Sequence, residues 1–364
     1  MRTRSRDECG FILPMTLWVI AIIGLIAAVI SEWVSQGVEN ALTVKSQAET
    51  ELSFANIRNE LAFAFARYPY SPRGLEVGER VQAPTTATLS DILNADFTSD
   101  LLIHLDGRAF ALESNPDFII KIQDGRGLIN LNIVNNEYLG RLFTALDVDE
   151  DLHDLLTDTL LDYRDEDDLS RLSGAEARDY ERLGMYPPSN YQLLSPWEAQ
   201  RIIGWTQADA FWRRQYDHPI VTTCRSSGFN PNTAPPEVLA TYIDGVTIDQ
   251  TQALLDFREE MPFRNARSIG DAAGAIIRNQ PFFFSFQPGR CFIIDLINKS
   301  TRDQIRFSLT LLPRNPSQPW QIDYVVRVPD RYRQQLATVS PGVSFPSPET
   351  ISRRAGETDG TPRL

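Results

Sequence analysis

The sequence predicts an α+β protein in which a long N-terminal helix packs on an antiparallel sheet that is interrupted by a large inserted all-α domain. Three observations support this fold class. A helical pattern of apolar residues runs from Ser31 to Tyr68 without a proline. Runs of β-rich residues separated by turn residues occur both soon after this helix and near residue 300. Between these runs, the sequence pattern is typical of short helices.

The helix begins in an apolar segment that can span a membrane. Arg2, Arg4 and Arg6 precede a run from Phe11 to Ser31 that holds no charged residue. The run matches the thickness of a bilayer, about 20 residues of helix, and exceeds the apolar core of a cleaved secretory signal, about 7 to 15 residues. Because positive residues stay on the cytoplasmic side, we expect residues 11–34 to be a single membrane span with the following chain outside the cytoplasm.

The second half of the helix predicts a domain for it to pack on. Phe54, Ile57, Leu61 and Phe65 recur at spacings of three and four residues and form an apolar stripe. Residues 35–134 should therefore hold the first part of the sheet domain. Asp-Gly pairs at Asp106 and Asp124 stand between β-rich runs and predict hairpin turns.

The remaining boundaries follow from changes in pattern. Residues 135–285 read as the inserted helical domain, in which Ser195 and Glu198 have the spacing of a helix-capping box. Strands return in residues 286–330, with turns expected at 298–301 and 313–318. Residues 331–364, rich in Ser, Pro, Gly and Arg, read as a disordered tail.

Charge and cysteine content narrow the function classes. The formal net charge of -13 repels phosphate backbones and anionic lipid headgroups, so no nucleic acid partner is expected. The hydrophobic fraction of 42% is enough to form real cores. Cys224 and Cys291 either pair as a disulfide in an oxidising compartment or remain two buried thiols, and the sequence leaves both open.

The acidic residues are concentrated between Asp147 and Glu181. Four consecutive acids, Asp165 to Asp168, are followed by a Ser-Gly turn and Glu176. Three interpretations stay open: a solvated helix face, a calcium site made of oxygen ligands, and carboxylate acid–base catalysis in a periplasmic hydrolase. An EF-hand is excluded because Leu169 and Ser170 occupy positions that need a ligand and a glycine. His104, His153 and His218 lack the spacing of a zinc site.

A second motif resembles a nucleic-acid-binding element. The stretch "FNPNTAPPEVLATYIDGVTIDQTQALLDFREE" is similar to the helix-hairpin-helix of membrane-anchored DNA receptors of the competence type. Such motifs bind DNA through helix N-termini, glycine-rich hairpins and basic flanks. The hairpin "IDGVTID" holds no lysine, so a structural use of the motif is favoured and DNA binding is the alternative function.

An ordered set of motifs identifies a known family. They are a leader ending "CGF", "DGRGLINLN" (Asp124 to Asn132), "LLDYRDEDD…SGAE" (Leu160 to Glu176), "YPPSNYQLLSPWEAQRIIGW" (Tyr186 to Trp205) and "FNPNTAPPEVLATYI" (Phe229 to Ile243). Together they resemble the type II secretion system protein K family of minor pseudopilins. The resemblance implies a pseudopilin fold interrupted by the helical domain.

The resemblance also implies processing and partners. Residues 1–10 would be a prepilin leader, removed by prepilin peptidase between Gly10 and Phe11, after which Phe11 is N-methylated. The mature chain would be a single-pass protein of the bacterial inner membrane with its bulk in the periplasm. It would join the minor pseudopilins I and J, with other pseudopilins, at the pseudopilus tip, and support export of folded proteins without catalytic residues of its own.

Two sets of site residues follow from the resemblance. Calcium ligands are expected in the helical domain at Asp162, Asp165, Asp167, Asp168 and Glu176, with Asn190 as an outer candidate. Met15 occupies the fifth mature position, where most pseudopilins carry a glutamate that pairs with the N-terminal amine of a neighbouring subunit. An unpaired carboxylate in a bilayer costs about 2.5 to 3.5 kcal/mol. A subunit with nothing above it has no such pairing to gain, so Met15 favours a tip position.

The processing site gives the first testable prediction. Mass spectrometry of the membrane form should find a mature N-terminus at Phe11, carrying one added methyl group. A chain that retains residues 1–10, or one cut after the apolar run, would contradict the expected class of protein.

Overall fold

The computed structural model describes residues 12–77, 101–274, 277, 283–332, 344–347 and 350. The chain divides into two compact units, of which the first ends at Asn59 and the second begins at Glu60. Gly10 and Phe11, which flank the predicted cleavage site, lie outside the described residues.

Helix α1 spans Ile12–Arg67, a length of 56 residues, which confirms the single long helix predicted from the sequence. Among the described residues it is the one helix that is long and apolar enough to cross a membrane. None of the residues in its most apolar segment is buried. The predicted stripe is buried: Phe54, Ile57, Leu61 and Phe65 are each at most 3% exposed.

The second unit is built on a mixed sheet of six strands. Its strands are β4 (Asp106–Leu112), β5 (Phe118–Asp124), β8 (Cys291–Asn298), β9 (Gln304–Leu311), β10 (Trp320–Arg327) and β11 (Ser344–Phe345). They lie in the order β10-β9-β8-β5-β4-β11, and all neighbours are antiparallel except β11 and β4. The strands before and after the helical region therefore share one sheet, with β5 paired to β8.

Smaller strands accompany this sheet. A three-stranded sheet is formed by β1 (Tyr70–Ser71), β2 (Gly74–Glu76) and β3 (Leu102–Ile103), and a parallel pair by β6 (Ile129–Asn130) and β7 (Val221–Thr222). Phe65 in the last turn of α1 lies 4.5 Å from the ring of Phe292 on β8, so the end of the helix covers one face of the large sheet.

Both Asp-Gly hairpin predictions are wrong. Asp106 and Gly107 lie inside β4, where Gly107 has φ 83° at an irregularity in the pairing with β5. A β-carbon at Gly107 would overlap the ring of His218. Asp124 ends β5 and leads into a 3₁₀ turn, Gly125–Gly127. The glycines serve a close tertiary approach and a turn out of the sheet, which local sequence does not distinguish from a hairpin.

In the described part of the chain, seven short helices and several 3₁₀ turns lie between β5 and β8. They are α2 (Asn136–Ala145), α3 (Glu150–Arg164), α4 (Ala177–Arg182), α5 (Asp209–Asp217), α6 (Pro236–Tyr242), α7 (Thr251–Glu260) and α8 (Ala266–Ala273). Their buried side chains form a core that includes Phe143, Trp205 and Phe211. Phe284 of the aromatic run "PFFFSF" is buried in the same core.

The predicted capping box at Ser195 is not formed. Residues Pro196–Arg201 are a 3₁₀ helix, and Ser195 makes no side-chain cap. Glu198 instead accepts hydrogen bonds from the Leu194 N–H at 2.9 Å and the Tyr163 hydroxyl at 3.1 Å. Packing of this turn against α3 decides its conformation.

Part of the expected C-terminal tail has regular structure. Tyr332 stacks on Tyr216 of α5 with ring centroids 4.2 Å apart. Phe345 in β11 is fully buried. The two-residue strand β11 pairs with β4 and covers that edge of the sheet.

A buried ion pair joins the sheet to the helical region. Arg306 on β9 is fully buried and bonds Asp295 on β8 through Nε at 2.7 Å and Nη2 at 2.9 Å. The same guanidinium donates to the backbone carbonyls of Gln215 and Tyr216 at the end of α5. Each of the three guanidinium nitrogens thus has an acceptor, and the cost of desolvating the pair is offset only while sheet and helix stay in contact.

Arg306→Met should lower the free energy of unfolding by about 3 to 5 kcal/mol, since it removes the guanidinium that pairs with the buried Asp295. Urea denaturation of the full chain measures the change. Arg327→Met on neighbouring β10 is the matched control, because Arg327 is half exposed and its pair with Asp303 spans 3.6 Å. That variant should change stability by less than about 1 kcal/mol. Equal losses in the two variants would contradict the role given to Arg306.

Candidate functional site

The buried carboxylate of Asp124 lies where the sheet meets the helical region. It accepts hydrogen bonds from the N–H of Arg126 at 3.1 Å, the amide of Asn230 at 2.9 Å, the hydroxyl of Thr233 at 2.9 Å and the N–H of Gly289 at 2.9 Å. Burial raises the pKa of Asp124, and these four hydrogen bonds oppose that rise. The carboxylate thus draws together three segments that are far apart in sequence.

The glycines after Asp124 allow this close approach. A β-carbon at Gly125 would lie 2.7 Å from Cys224 Sγ, and one at Gly127 would lie 2.7 Å from Thr233 Oγ1. Both distances are too short for a real side chain. The "DGRG" motif is therefore a junction between β5 and the segment around residue 230.

The helix-hairpin-helix look-alike is used structurally. Asn232 accepts from the Phe263 N–H at 2.7 Å and donates to the Phe263 carbonyl at 2.9 Å, while Asn230 and Thr233 bind Asp124. All three side chains are buried. The helix that follows these residues starts at Pro236, because Pro235 is extended with ψ 161°. The motif's polar groups thus face the protein interior.

Cys224 and Cys291 form a disulfide in the structure. Cys224 lies in the helical region and Cys291 begins β8, and both are at most 6% exposed. The bond crosses the same junction as Asp124. It resolves the two alternatives that the sequence left open in favour of pairing.

The acidic segment forms a loop between α3 and α4, and Arg171 bridges it. Arg171 Nη1 binds the fully buried Asp162 and, at 2.6 Å, Asp165. The Arg171 N–H also donates to Asp162 at 3.1 Å, and the Ser173 N–H donates to Asp158 at 3.0 Å. A β-carbon at Gly174 would overlap the Asp162 carboxylate, so the Ser-Gly turn lets the loop fold over it.

Four acceptor atoms around this loop have no hydrogen-bond partner although they are buried. They are both carboxylate oxygens of Glu176, Oδ1 of Asp165 and Oδ1 of Asn190. Asn190 also donates to Asp168 Oδ1 at 3.2 Å and has a left-handed backbone, φ 47°. Every orphaned atom is an acceptor, and a buried acceptor without a donor is costly unless a cation or proton satisfies it.

Only some of the predicted calcium ligands have free acceptor atoms for such a cation. Asp165, Glu176 and Asn190 contribute free acceptors, whereas Asp162 is already held by Arg171. Asp167 accepts from the Leu169 N–H at 2.9 Å and is exposed, as is Asp168. Within the described ranges, three or more His, Cys, Asp or Glu side chains are nowhere already gathered as a metal site. The oxygen chemistry suits calcium, and the carboxylates would have to draw closer around it.

Glu176 is the most perturbed of these acids. Burial raises its pKa from the ordinary 4.5 to about 7, and the negative charges of Asp162, Asp165, Asp168 and Asp167 add to the rise. At neutral pH a proton therefore competes with a cation for this carboxylate.

The comparisons with known proteins agree with the motifs. Family models for the type II secretion system (T2SS) protein K match residues 127–211 and 229–276, which hold the acidic loop and two of the four Asp124 partners, Asn230 and Thr233. Over these two ranges the chain matches the type II secretion system protein K family. These matches support a minor pseudopilin role, and α1 is the candidate membrane anchor.

One solved structure in the same comparison is the GspK-GspI-GspJ complex of the enterotoxigenic Escherichia coli type 2 secretion system. A chain of it matches with 15% identity and a TM-score of 0.42, over 78% of this chain and 98% of that one. At that similarity no contact residue can be transferred to this family member. A search of curated protein sequences returns no match.

The other predicted residues fall as follows. Met15 lies in the first turn of α1 and is 63% exposed.

Arg171 and Asp124 were missed as site residues by sequence reasoning. Arg171 lies in the middle of the acidic loop, so its positive charge alone could have identified it as the counterion of the surrounding carboxylates.

The pKa of Glu176 predicts a pH dependence. Because its folded pKa lies above its ordinary value, the cation-free fold loses stability as pH rises from about 4.5 through about 7. In chelator at pH 8, Glu176→Gln should raise the free energy of unfolding by about 1 to 3 kcal/mol, and the gain should shrink at pH 5. Glu181→Gln, at an exposed position of α4, should change little at either pH. A loss of stability in Glu176→Gln at both pH values would contradict this account.

Proposed function

We propose that this minor pseudopilin sits at the tip of the pseudopilus in a complex with the minor pseudopilins I and J, where it supports pseudopilus assembly and the export of folded proteins. The observation that carries the proposal is Met15. An apolar residue at the fifth mature position removes the carboxylate that would pair with the N-terminal amine of a neighbour. A subunit at the end of a filament loses nothing by that removal.

The helical region is the second support. The seven helices α2 to α8 add a large domain to the sheet, with a core of its own. A filament interior would have to accommodate such a domain at every subunit, whereas a tip accommodates it once. The Asp124 contacts, the Arg306 pair and the disulfide hold this domain firmly to the sheet.

We further propose that α1 crosses the inner membrane once with its N-terminus in the cytoplasm, where prepilin peptidase cuts after Gly10. The arginines at positions 2, 4 and 6 support this orientation. The proposal includes no catalytic role, because the buried Asp124, Asp106 and Arg306 are each held in ion pairs or hydrogen bonds of the fold.

Co-expression of the full chain with the I and J pseudopilins tests the tip proposal. The three should co-purify in equal amounts, and the chain should be found at one filament end rather than along its length. Met15→Leu should behave as wild type, while Met15→Glu should lower the share found with I and J, because the new carboxylate can pair within the filament body.

Two outcomes would overturn the proposal. One is a distribution of the wild-type chain along the filament. The other is binding of duplex DNA at low salt that is lost when the Asp244-Gly245 hairpin is changed. The latter result would favour the DNA-binding alternative.

Calcium is proposed as the ion that satisfies Glu176, Asp165 and Asn190, with Asp162, Asp167 and Asp168 nearby. When bound, it would supply positive charge to a loop whose acids repel one another. Calcium should raise the Tm of the full chain, and more at pH 8 than at pH 6, because the Glu176 proton must leave first. Glu176→Gln should lose most of the increase. An equal Tm in calcium and in chelator would contradict a tight site.

A further inference from the structure

Large apolar side chains are exposed around the acidic loop. Leu172 is fully exposed, and the exposed fractions of Leu169, Leu194, Ile133 and Tyr191 are 76%, 75%, 64% and 57%. We call these five residues the apolar face. Single exposed leucines are ordinary in proteins, but several on adjoining segments are typical of an interaction site.

The segments that carry the apolar face are hydrogen bonded to one another. Asn190, next to Tyr191, donates to Asp168, next to Leu169. Asn132, next to Ile133, donates to the Leu193 carbonyl at 2.9 Å and accepts from the Leu193 N–H at 2.8 Å. The residues of the apolar face therefore lie on three adjacent stretches of chain.

The orphaned acceptors link this surface to a cation. Asn190 Oδ1 belongs to the segment of Tyr191, whereas Asp165 and Glu176 flank the loop that carries Leu169 and Leu172. A cation bound by both sides would hold the two segments together. Without it, the like charges around Glu176 favour opening of the loop.

We propose that the apolar face is a docking site for a partner protein that presents apolar side chains rimmed by lysine or arginine, and that calcium keeps the face assembled. This inference rests on the calcium site proposed above. Glu166 and Asp167 are exposed beside the leucines, and the chain as a whole is strongly acidic. A basic rim is attracted by this field, whereas an anionic bilayer or a second copy of this chain is repelled.

Short peptides serve as probes of that chemistry. The full chain is reconstituted in zwitterionic nanodiscs, with empty discs as the blank. A fluorescent peptide of about six alternating leucines and lysines is compared with its leucine–glutamate counterpart. The lysine peptide should bind in calcium and at least about tenfold more weakly in chelator, and the glutamate peptide should not bind.

Paired variants separate docking from folding. The double change Leu169→Ser and Leu172→Ser keeps the charge and should weaken lysine-peptide binding by about tenfold or more, since two apolar contacts are lost. Val325→Ser, at a 49% exposed position on β10, is the matched control and should bind as wild type. Both variants should keep the Tm of the parent and its rise in calcium.

The same variants are then expressed in secreting cells. The double variant should export several-fold less protein while it still co-purifies with the I and J pseudopilins, and Val325→Ser should export normally. Equal binding of both peptides, binding by the double variant at wild-type strength, or capture by anionic vesicles instead of the peptide would each overturn the docking proposal. Peptide binding that ignores chelator would overturn its calcium dependence. Failure to co-purify with I and J would instead count against the tip function.

Discussion

The hydrogen bonds to the carboxylate of Asp124 are the constraint on which the second unit depends. A buried carboxylate is costly unless donors surround it. Here the donors come from the turn after β5, from Asn230 and Thr233, and from Gly289 just before β8. None of these segments can leave without exposing the charge to an apolar interior. The carboxylate therefore couples formation of the sheet to docking of the helical region.

The ion pair between Arg306 and Asp295 imposes a similar constraint within the sheet. Its guanidinium completes its hydrogen bonds only when the end of α5 is in place, and it lies over the ring of Trp197, 5.9 Å from the centroid. Buried ionic contacts of this kind add specificity rather than large net stability. Two separate buried charges thus define a single orientation of the helical region on the sheet.

Sequence reasoning succeeded where a pattern reports on its own neighbourhood. The long helix, its buried stripe and strands β8 to β10 follow from periodicity over many residues. It failed at Asp106-Gly107 and at Ser195, where a distant contact decides the conformation. Gly107 makes room for the ring of His218, and Glu198 is bound by Tyr163 instead of capping a helix.

The acidic loop shows the same division. Composition and the family resemblance pointed to the loop that holds the buried acceptors of Asp165 and Glu176, because charge density is visible in one dimension. Which oxygen atoms lack a donor depends on how the loop folds over Asp162 and how Asn190 reaches across to it, and that information exists only in three dimensions. The acidic composition of the loop was thus predictable, and the arrangement of its oxygen atoms was not.

The disulfide changes how the molecule would carry a mechanical load. Cys224 and Cys291 close a covalent ring that contains α6, α7 and α8. A pull along the backbone, such as a growing filament could exert against an obstacle, passes through the sulfur bridge and bypasses that ring. Helices α2 to α5 lie outside it and stay in the line of tension, where non-covalent contacts alone resist. The acidic loop between α3 and α4 thus lies in the part of the chain that bears the tension, whereas the disulfide shields the ring from it.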